Sequence, residues 1–507
     1  MRLELPFDCL PIILRWLDDD YATLYNACLV SRGWSLIGVS HLYKDPWSLI
    51  PQNSPYNQES KLRIAMLLRT HLSCTDLNGF NTEEKLRLSK IDTICIPPVD
   101  YLTKIVMFLQ RLVTQIGSEE SIDSLAATRY SCYNHQRPLY SYLSLARTVN
   151  LVRLQESLRV INATSKPAWC NNYTMEEALL DQKITQKLWE IFRNRNLETI
   201  RKLVWRGMVP LKDIFLDTKL SGLQELELLW RYDPTNSPCT QDIHLKTICQ
   251  SPRNFQKISL HLDPWVEKIE DSDIATLIAA QEAGSLKSLH IEGAHTPLTE
   301  TIDALLTHHQ HSLREFHIID YIPSRNGFEK IGQFSNLRSL KFYDCFNLSD
   351  KEFLTIFQAC KNLQELHLCK LPYVSCSSVR KIIEVSGSNL RKLVINQVGN
   401  ETIDSETVHS MTRFANNLKH LDIRKMIFPA GEICDFIKSS PQLEYIALGE
   451  PIANTPSCGD FVVQTVVQNC SKLKHLYVFD LVITEKALSH ITENFIMRRV
   501  TLPVFVS

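Results

Sequence analysis

The cysteine and histidine side chains are the residues of this chain best suited to metal chemistry. Two pairs lie as close together in sequence as metal ligands often do, Cys132-x-x-His135 and His367-x-Cys369. A tetrahedral zinc site normally takes four ligands from two pairs of matched spacing, and neither pair has a matching second pair. We therefore predict buried thiols beside ordinary histidines, with no metal site and no bound cofactor.

Motifs of enzyme active sites are absent from the sequence. It has no Gly-rich phosphate loop, no G-x-S-x-G turn and no H-E-x-x-H zinc motif, and only 15 of its 507 residues are glycine. We predict a non-catalytic protein. An enzyme whose site follows an unrecognised pattern is the alternative.

A short apolar pattern, apolar-x-x-apolar-x-apolar, recurs ten times from residue 223 onward. Its copies are Leu223/Leu226/Leu228, Phe255/Ile258/Leu260, Leu286/Leu289/Ile291, Leu313/Phe316/Ile318, Leu337/Leu340/Phe342, Leu363/Leu366/Leu368, Leu390/Leu393/Ile395, Leu418/Leu421/Ile423, Leu443/Ile446/Leu448 and Leu473/Leu476/Val478. A weaker copy, Ile200/Leu203/Trp205, precedes them. The step between copies is 24 to 32 residues, near the roughly 20–29 of leucine-rich repeats.

Helical patterns follow the apolar copies. Ser349-x-x-Glu352 is a capping box that opens one predicted helix. A second helix is predicted over residues 271 to 283, with Ile274, Leu277 and Ile278 facing inward. A strand and a helix in every repeat predict an α/β fold, in which repeats stack into a solenoid with a curved parallel sheet on its concave face.

The concave face can be predicted from the alternation of side chains along each strand. The residue between the last two apolar positions of each copy should point to solvent: Glu227, Ser259, His290, His317, Lys341, His367, Val394, Asp422, Ala447 and Tyr477. His290, His317, Lys341 and His367 then form four consecutive rungs of one column. Tyr343, Arg424 and Phe479 belong to the next column.

A protein substrate is the predicted ligand of this face. The predicted contacts are His290, His317, Lys341, Tyr343, His367, Arg424, Tyr477 and Phe479. Near neutral pH the histidines should stay neutral beside the fixed charge of Lys341. With Arg424, this lysine suits an acidic or phosphorylated segment. The alternative is a solvated face with no dedicated partner.

The N-terminal segment predicts three short helices in about 47 residues, too few for an independent core. Its pattern resembles the F-box in order and spacing, through Leu5, Pro6, Leu10, Ile13, Leu17, Val30, Arg32 and Trp34. The closing Leu42-Tyr43 departs from the family's common Leu-Trp. Ser31 stands where many members have cysteine.

Together with the repeats, the chain resembles the F-box/leucine-rich-repeat family, and "NLSDKEFLTIFQACKNLQELHL" is similar to that family's cysteine-containing repeats. The resemblance implies a substrate receptor of SCF-type (Skp–cullin–F-box) ubiquitin ligases. Leu5, Pro6, Leu10, Ile13, Leu17, Val30 and Trp34 would dock the Skp-type adaptor, and through it the cullin. A repeat scaffold with no ligase role is the alternative.

The domain organisation follows from these patterns. We predict an F-box over residues 1–47, a mainly helical connector or degenerate repeats over 48–195, and the leucine-rich-repeat solenoid over 196–507. Net charge is −1, from 55 basic and 56 acidic side chains, which predicts no nucleic-acid and no membrane partner. With no signal peptide and no apolar span, we expect a cytoplasmic or nuclear protein whose 15 cysteines are thiols.

Overall fold

A computed structural model describes residues 147–152, 183–187, 189–190, 199–205, 222–230, 245–249, 254–262, 269–294, 297–320, 328–346, 348–357, 360–479 and 481–489. The F-box-like segment, the Cys132/His135 pair and most of the predicted connector lie outside the described residues. The chain divides into two compact units. Unit 1 is Met1–Leu229 with Asp233–His244, and unit 2 is Trp230–Tyr232 with Leu245–Ser507.

The described part of unit 1 contains three short parallel strands. They are β1 (Thr148–Asn150), β2 (Lys202–Trp205) and β3 (Glu225–Leu229). Val149 pairs with Leu203, and Leu203 pairs with Leu226, so equivalent apolar residues form one buried row. The weaker copy of the motif is therefore a genuine strand. β1 lies within the range that we predicted to be mainly helical or degenerate repeats.

Unit 2 carries nine parallel strands in its described residues. They are β4 (Lys257–His261), β5 (Ser288–Glu292), β6 (Glu315–Ile319), β7 (Ser339–Tyr343), β8 (Glu365–Leu371), β9 (Lys392–Val398), β10 (His420–Phe428), β11 (Tyr445–Pro451) and β12 (His475–Val478). Each strand pairs with the next one in the chain, so spatial order equals sequence order. Repeat proteins stack in this way, each unit contacting only its neighbours.

Helices connect the strands of unit 2. They are α1 (Leu245–Ile248), α2 (Asp271–Ala279), α3 (Thr299–His309), α4 (Asp350–Phe357), α5 (Cys376–Ser386), α6 (Ser405–Phe414), α7 (Ala430–Ser439) and α8 (Pro456–Asn469). Between β6 and β7 the described element is a 3₁₀ helix, Phe328–Gln333. A second 3₁₀ helix, Gly387–Asn389, directly follows α5.

The core of unit 2 lies between the sheet and these helices. The apolar positions of every predicted copy are buried, except that Val478 of the last copy is partly exposed. In β7, Phe342 is fully buried, and its ring lies 6.4 Å from the ring of Phe353 on α4. Each such side chain contributes roughly 1.5–3 kcal/mol on leaving water. The repeated motif therefore contributes substantially to the stability.

Two predicted helix features can be compared with the structure directly. Ile274, Leu277 and Ile278 of α2 are buried as predicted, but α2 ends at Ala279, four residues early. The Gln281 amide N–H bonds to the Ile278 carbonyl, which tightens the last turn into 3₁₀ geometry. At α4, only half of the capping box forms: the Ser349 N–H donates to the Glu352 carboxylate (3.2 Å), and the Ser349 hydroxyl donates to that carboxylate too.

A row of asparagines ties the turns before successive strands to one another. Each Nδ2 donates to a carbonyl of the preceding repeat: Asn336 to His311 (2.7 Å), Asn362 to Ser335 (3.0 Å), Asn389 to Lys361 (3.0 Å) and Asn417 to Ser388 (2.7 Å). These bonds satisfy turn carbonyls that the sheet ladder leaves unused. We call this row the asparagine ladder.

Candidate functional site

The strand side chains that alternate with the buried motif residues form one surface of unit 2, which we call the open face. Its central column is Ser259, His290, His317, Lys341, His367, Val394, Asp422, Ala447 and Tyr477, joined rung to rung by the strand register. Neighbouring rungs lie about 4.8 Å apart. The sequence predicted this column in the order observed. The prediction that every rung points to solvent was wrong at four of them, because Ser259, Val394, Asp422 and Ala447 are buried.

Two further columns flank the central one. The first column, two residues earlier on each strand, is Lys257, Ser288, Glu315, Ser339, Glu365, Lys392, His420, Tyr445 and His475. The third column, two residues later, begins His261, Glu292, Ile319, Tyr343, Cys369 and Asn396. Arg424 and Phe479 extend it, since each follows its central-column residue by two.

Repeat length, strand register and the alternation of strands with helices decide the fold. Unit 2 is a leucine-rich-repeat solenoid. Such arrays present extended surfaces that are typical of macromolecular binding, and the open face is the extended strand surface of this array. Among the residues that the structure describes, no helix combines the length and the hydropathy that crossing a bilayer requires.

Comparisons with known proteins give matches of low similarity only. No protein-family model matches the chain, and no curated protein matches its sequence. A chain from the crystal structure of the Rad7 and Elc1 complex in yeast is 14% identical to this chain, with a TM-score of 0.46. The match covers 76% of this chain and 98% of that chain. A leucine-rich-repeat protein of Leptospira interrogans has 15% identity, coverage of 63% and 86%, and a TM-score of 0.33. An internalin of Listeria monocytogenes has 15% identity, coverage of 67% and 91%, and a TM-score of 0.34. At these values the likenesses carry no argument about function.

The histidines of the central column are neutral at physiological pH. Burial lowers the pKa of His290 to about 4, that of His317 to about 3 and that of His367 to about 2. The positive charge of Lys341 adds to the effect of burial at His317 and His367. The sequence predicted neutral histidines because of Lys341. In the structure desolvation is the larger cause, and it lowers the pKa of Lys341 as well.

Hydrogen bonding differs along the central column. His317 Nε2 lies 3.2 Å from Ser339 Oγ, and that hydroxyl donates to Glu365 Oε2 over 3.3 Å. When the serine donates to the carboxylate, His317 donates from Nε2; when it donates to His317, Nε2 accepts. The Nε2 atoms of His290 and His367 are buried and have no hydrogen-bond partner among the described residues. An unpaired buried polar group of this kind costs about 1–3 kcal/mol.

The charge around Lys341 is mixed. Glu315 and Glu365 of the first column flank it, and both raise its pKa against the effect of burial. Glu315 also accepts a hydrogen bond from Ser288 Oγ at 2.9 Å. These carboxylates were not predicted, although the same alternation along each strand, applied two residues earlier in each motif, places them on the open face.

Arg424 is bound within the chain. Its Nη2 and Nε atoms donate to the carboxylate of Asp422 at 2.6 and 2.9 Å, and Asp422 is buried. This hydrogen bonding raises the pKa of Arg424. The guanidinium carbon also lies 5.5 Å from the ring centroid of Phe479. Arg424 therefore brings little net charge to the open face and supports an aromatic surface instead.

The aromatic surface, which we call the aromatic patch, covers β10 to β12. His420 and Tyr445 stack with ring centroids 3.8 Å apart and an interplanar angle of 5°. Tyr445 lies 5.2 Å from Tyr477, and Tyr477 lies 6.4 Å from Phe479. The sequence predicted Tyr477 and Phe479 but not their neighbours. Rigid aromatic groups of this kind provide most of the energy in many protein interfaces.

Tyr343 and Cys369 lie side by side in the third column. Tyr343 is 40% exposed, and Lys370 Nζ lies 5.2 Å from its ring centroid. Cys369 is buried, and burial raises the pKa of its thiol to about 11. The thiol is therefore protonated at neutral pH, and the absence of a metal site at the His367/Cys369 pair stays a prediction.

A group of potential metal ligands does occur at the other end of the open face. His261, His290 and Glu292 each offer one ligand atom, and these atoms lie within 4.8 Å of one another. This group was not predicted, because ligand pairs were expected only a few residues apart in the sequence. Here the register of β4 against β5 brings together residues 29 and 31 positions apart.

Proposed function

We propose that the protein is the substrate-recognition subunit of an SCF-type ubiquitin ligase. The F-box-like segment, residues 1–47, docks the Skp-type adaptor and through it the cullin, and the open face binds the protein substrate. The observation that carries the proposal is the open face, on which the strand register lines up half-buried histidines, Lys341 and aromatic side chains of successive repeats. The family resemblance of the N-terminal segment supplies the ligase part.

Such a receptor works by position and has no reacting group of its own. A substrate bound to the open face is held near the conjugating enzyme that the complex carries, so its lysines react at high effective concentration. This mechanism agrees with the absence of catalytic motifs from the sequence. It also agrees with the state of Cys369 on the open face, whose thiol is protonated at neutral pH because burial raises its pKa.

Substrate contacts fall into two groups on the open face. The central column, His290, His317, Lys341 and His367, provides hydrogen-bonding groups and one positive charge. The third column and the aromatic patch provide Tyr343, Arg424, Tyr477 and Phe479 as contact area. Because Arg424 is paired with Asp422 and Lys341 is flanked by carboxylates, the aromatic side chains supply the larger share of the affinity.

The adaptor interaction is tested by Leu10→Asp and Leu17→Asp. Each change places a charge in the predicted apolar docking stripe, where a partner would desolvate it. We expect affinity for the adaptor to fall at least about 100-fold, equivalent to about 3 kcal/mol. Isothermal titration of the purified chain with the Skp-type adaptor measures it. Removal of residues 1–47 should abolish binding altogether.

Arg15→Asp is the matched control for the adaptor experiment. It changes charge in the same predicted helix but outside the apolar stripe, so binding should remain close to that of the unaltered chain. Unchanged affinity of the Leu10 and Leu17 variants would remove those side chains from the docking face. If the unaltered chain binds no adaptor, the scaffold alternative replaces the ligase proposal.

Substrate recognition is tested by replacing His317, Lys341 and His367 together with alanine. We expect particular partners to be lost from the proximity-labelling profile of the cell while the adaptor stays bound. The control replaces His311, Lys361 and His409, which have the same residue types, are exposed and lie outside the three columns. A partner profile altered equally by both triple variants, or by neither, would place the substrate site elsewhere.

A further inference from the structure

The N-terminal end of the open face holds a compact group of nitrogen and oxygen ligands. His261 Nδ1 lies 2.5 Å from Glu292 Oε2, and the rings of His261 and His290 lie 5.0 Å apart, edge to face. All three residues are half-buried. His261 is on β4 and the other two are on β5, with His261 directly opposite Glu292 in the register. Strand backbones therefore fix the three attachment points.

The position of His290 separates this group from an ordinary surface cluster. Its Nε2 is buried and has no hydrogen-bond partner among the described residues. A buried imidazole nitrogen normally has a partner, and a metal ion is one of the partners that histidine prefers. The ring of His290 lies between those of His261 and His317 and packs edge to face against both, with centroid distances of 5.0 and 5.8 Å. Its orientation is thus fixed by packing.

We propose that His261, His290 and Glu292 bind a divalent transition-metal ion of the zinc class. Two imidazoles and one carboxylate are a ligand set that zinc accepts, and three protein ligands leave one coordination position for water. The site belongs to the solenoid itself, so it does not depend on the ligase proposal. Nothing in the repeat motif requires these three residue types at these rungs.

The geometry needs only small adjustments. Ligand atoms on one tetrahedral zinc ion lie about 3.3 Å apart, as follows from metal–ligand distances of about 2.0–2.1 Å. The three atoms here lie within 4.8 Å of one another, so side-chain movements of about 1 Å close the site. Glu292 then exchanges its hydrogen bond with His261 for coordination of the ion as the third protein ligand.

Nearby charges oppose metal binding in part. Lys257 and Lys341 both act on His290 electrostatically, and each disfavours additional positive charge there. Glu292 acts in the opposite direction, and its Oε2 lies 2.5 Å from His261 Nδ1. Because these opposite charges largely offset each other, direct coordination, and not electrostatic attraction alone, must hold the ion. Magnesium and calcium, which require several oxygen ligands, are therefore excluded as occupants.

The full-length protein titrated with ZnCl₂ against a chromophoric chelator tests the site. We expect one ion per chain. His290→Ala should weaken binding at least 100-fold and Glu292→Gln about 10-fold, in the range seen for ligand and outer-shell changes. His420→Ala is the matched control, because His420 is also a half-buried histidine of the open face but lies five strands away on β10. Circular dichroism confirms that each variant is folded.

Cobalt substitution distinguishes this site from the chain's cysteines. Co²⁺ bound by nitrogen and oxygen ligands gives visible d–d bands without the intense near-ultraviolet charge-transfer band of a thiolate. We expect the visible bands alone, and their loss in His290→Ala. A thiolate band, equal loss of affinity in His420→Ala, or full affinity in both His290→Ala and Glu292→Gln would overturn the proposal.

Discussion

Replacing Phe342 with alanine is expected to lower the free energy of unfolding by about 3–5 kcal/mol. Phe342 is the last apolar residue of its motif, is fully buried on β7, and packs against Phe353 of α4. The change removes a whole ring from the interior of a repeat and leaves a cavity between sheet and helix. Urea unfolding followed by far-ultraviolet circular dichroism measures the loss.

Phe346→Ala is the matched control, because the same side chain is removed from the same repeat. Phe346 is 50% exposed, so we expect a change within about 0.5 kcal/mol. In a repeat array, the damage can also appear as a separate transition of the repeats beside β7. A loss below about 1 kcal/mol for Phe342→Ala would contradict the role given to the buried motif.

Stability should fall as pH drops below about 6.5, because several histidines of the open face have lowered pKa values. His290 and His420, at about 4, contribute to the fall, and His317 and His367 contribute over the widest pH range. Their pKa values in the folded chain are about 3 and about 2, against 6.5 for an unperturbed histidine. Between these values the unfolded chain binds protons that the folded chain does not. The contribution of each histidine to the free energy of unfolding is therefore fully present above pH 6.5. Below that pH it falls by up to about 1.4 kcal/mol per pH unit for each histidine.

His367→Gln isolates one of these contributions. Glutamine keeps a polar group at the position and does not titrate, so the pH dependence of unfolding should flatten by about 1 kcal/mol per unit between pH 6.5 and 5. Urea unfolding at pH 7.5, 6.0 and 5.0 provides the measurement. His311→Gln, at an exposed histidine, should leave the slope unchanged. Equal slopes for the His367 variant and the unaltered chain would show that burial does not hold that ring neutral.

The strands of the fold were predictable because their signal is local. Three apolar residues within six positions define each strand, and the ten copies from Leu223 onward, with the weaker copy at Trp205, all form strands. The central column followed, since alternation along a strand is a geometric rule. Helix ends were less predictable. α2 stops at Ala279, just before the Gln281 N–H bonds to the Ile278 carbonyl in 3₁₀ geometry, and no sequence pattern marks that change.

The chemistry of the open face was only partly predictable. Which residues lie opposite each other on neighbouring strands depends on the strand register. Local sequence patterns determine that register only where the repeats have a regular length. β4 and β5 belong to the longest repeats, so the meeting of His261 with Glu292 escaped the sequence analysis. Arg424 was predicted as a free charge, but a residue two positions earlier, Asp422, binds it. That pairing is local, and it could have been predicted from the alternation itself.

The asparagine ladder has a consequence for how such a chain can change over time. Each rung, such as Asn362 on the Ser335 carbonyl, joins a repeat only to the one before it. A duplicated repeat would carry its own asparagine, which could donate to the turn carbonyl of the repeat before it. After deletion of a repeat, its two former neighbours could form the same hydrogen bond directly with each other. Whole repeats can therefore be gained or lost by recombination with little damage to the remainder. The length of the open face, and so the size of the partner it can span, is free to vary in steps of one repeat.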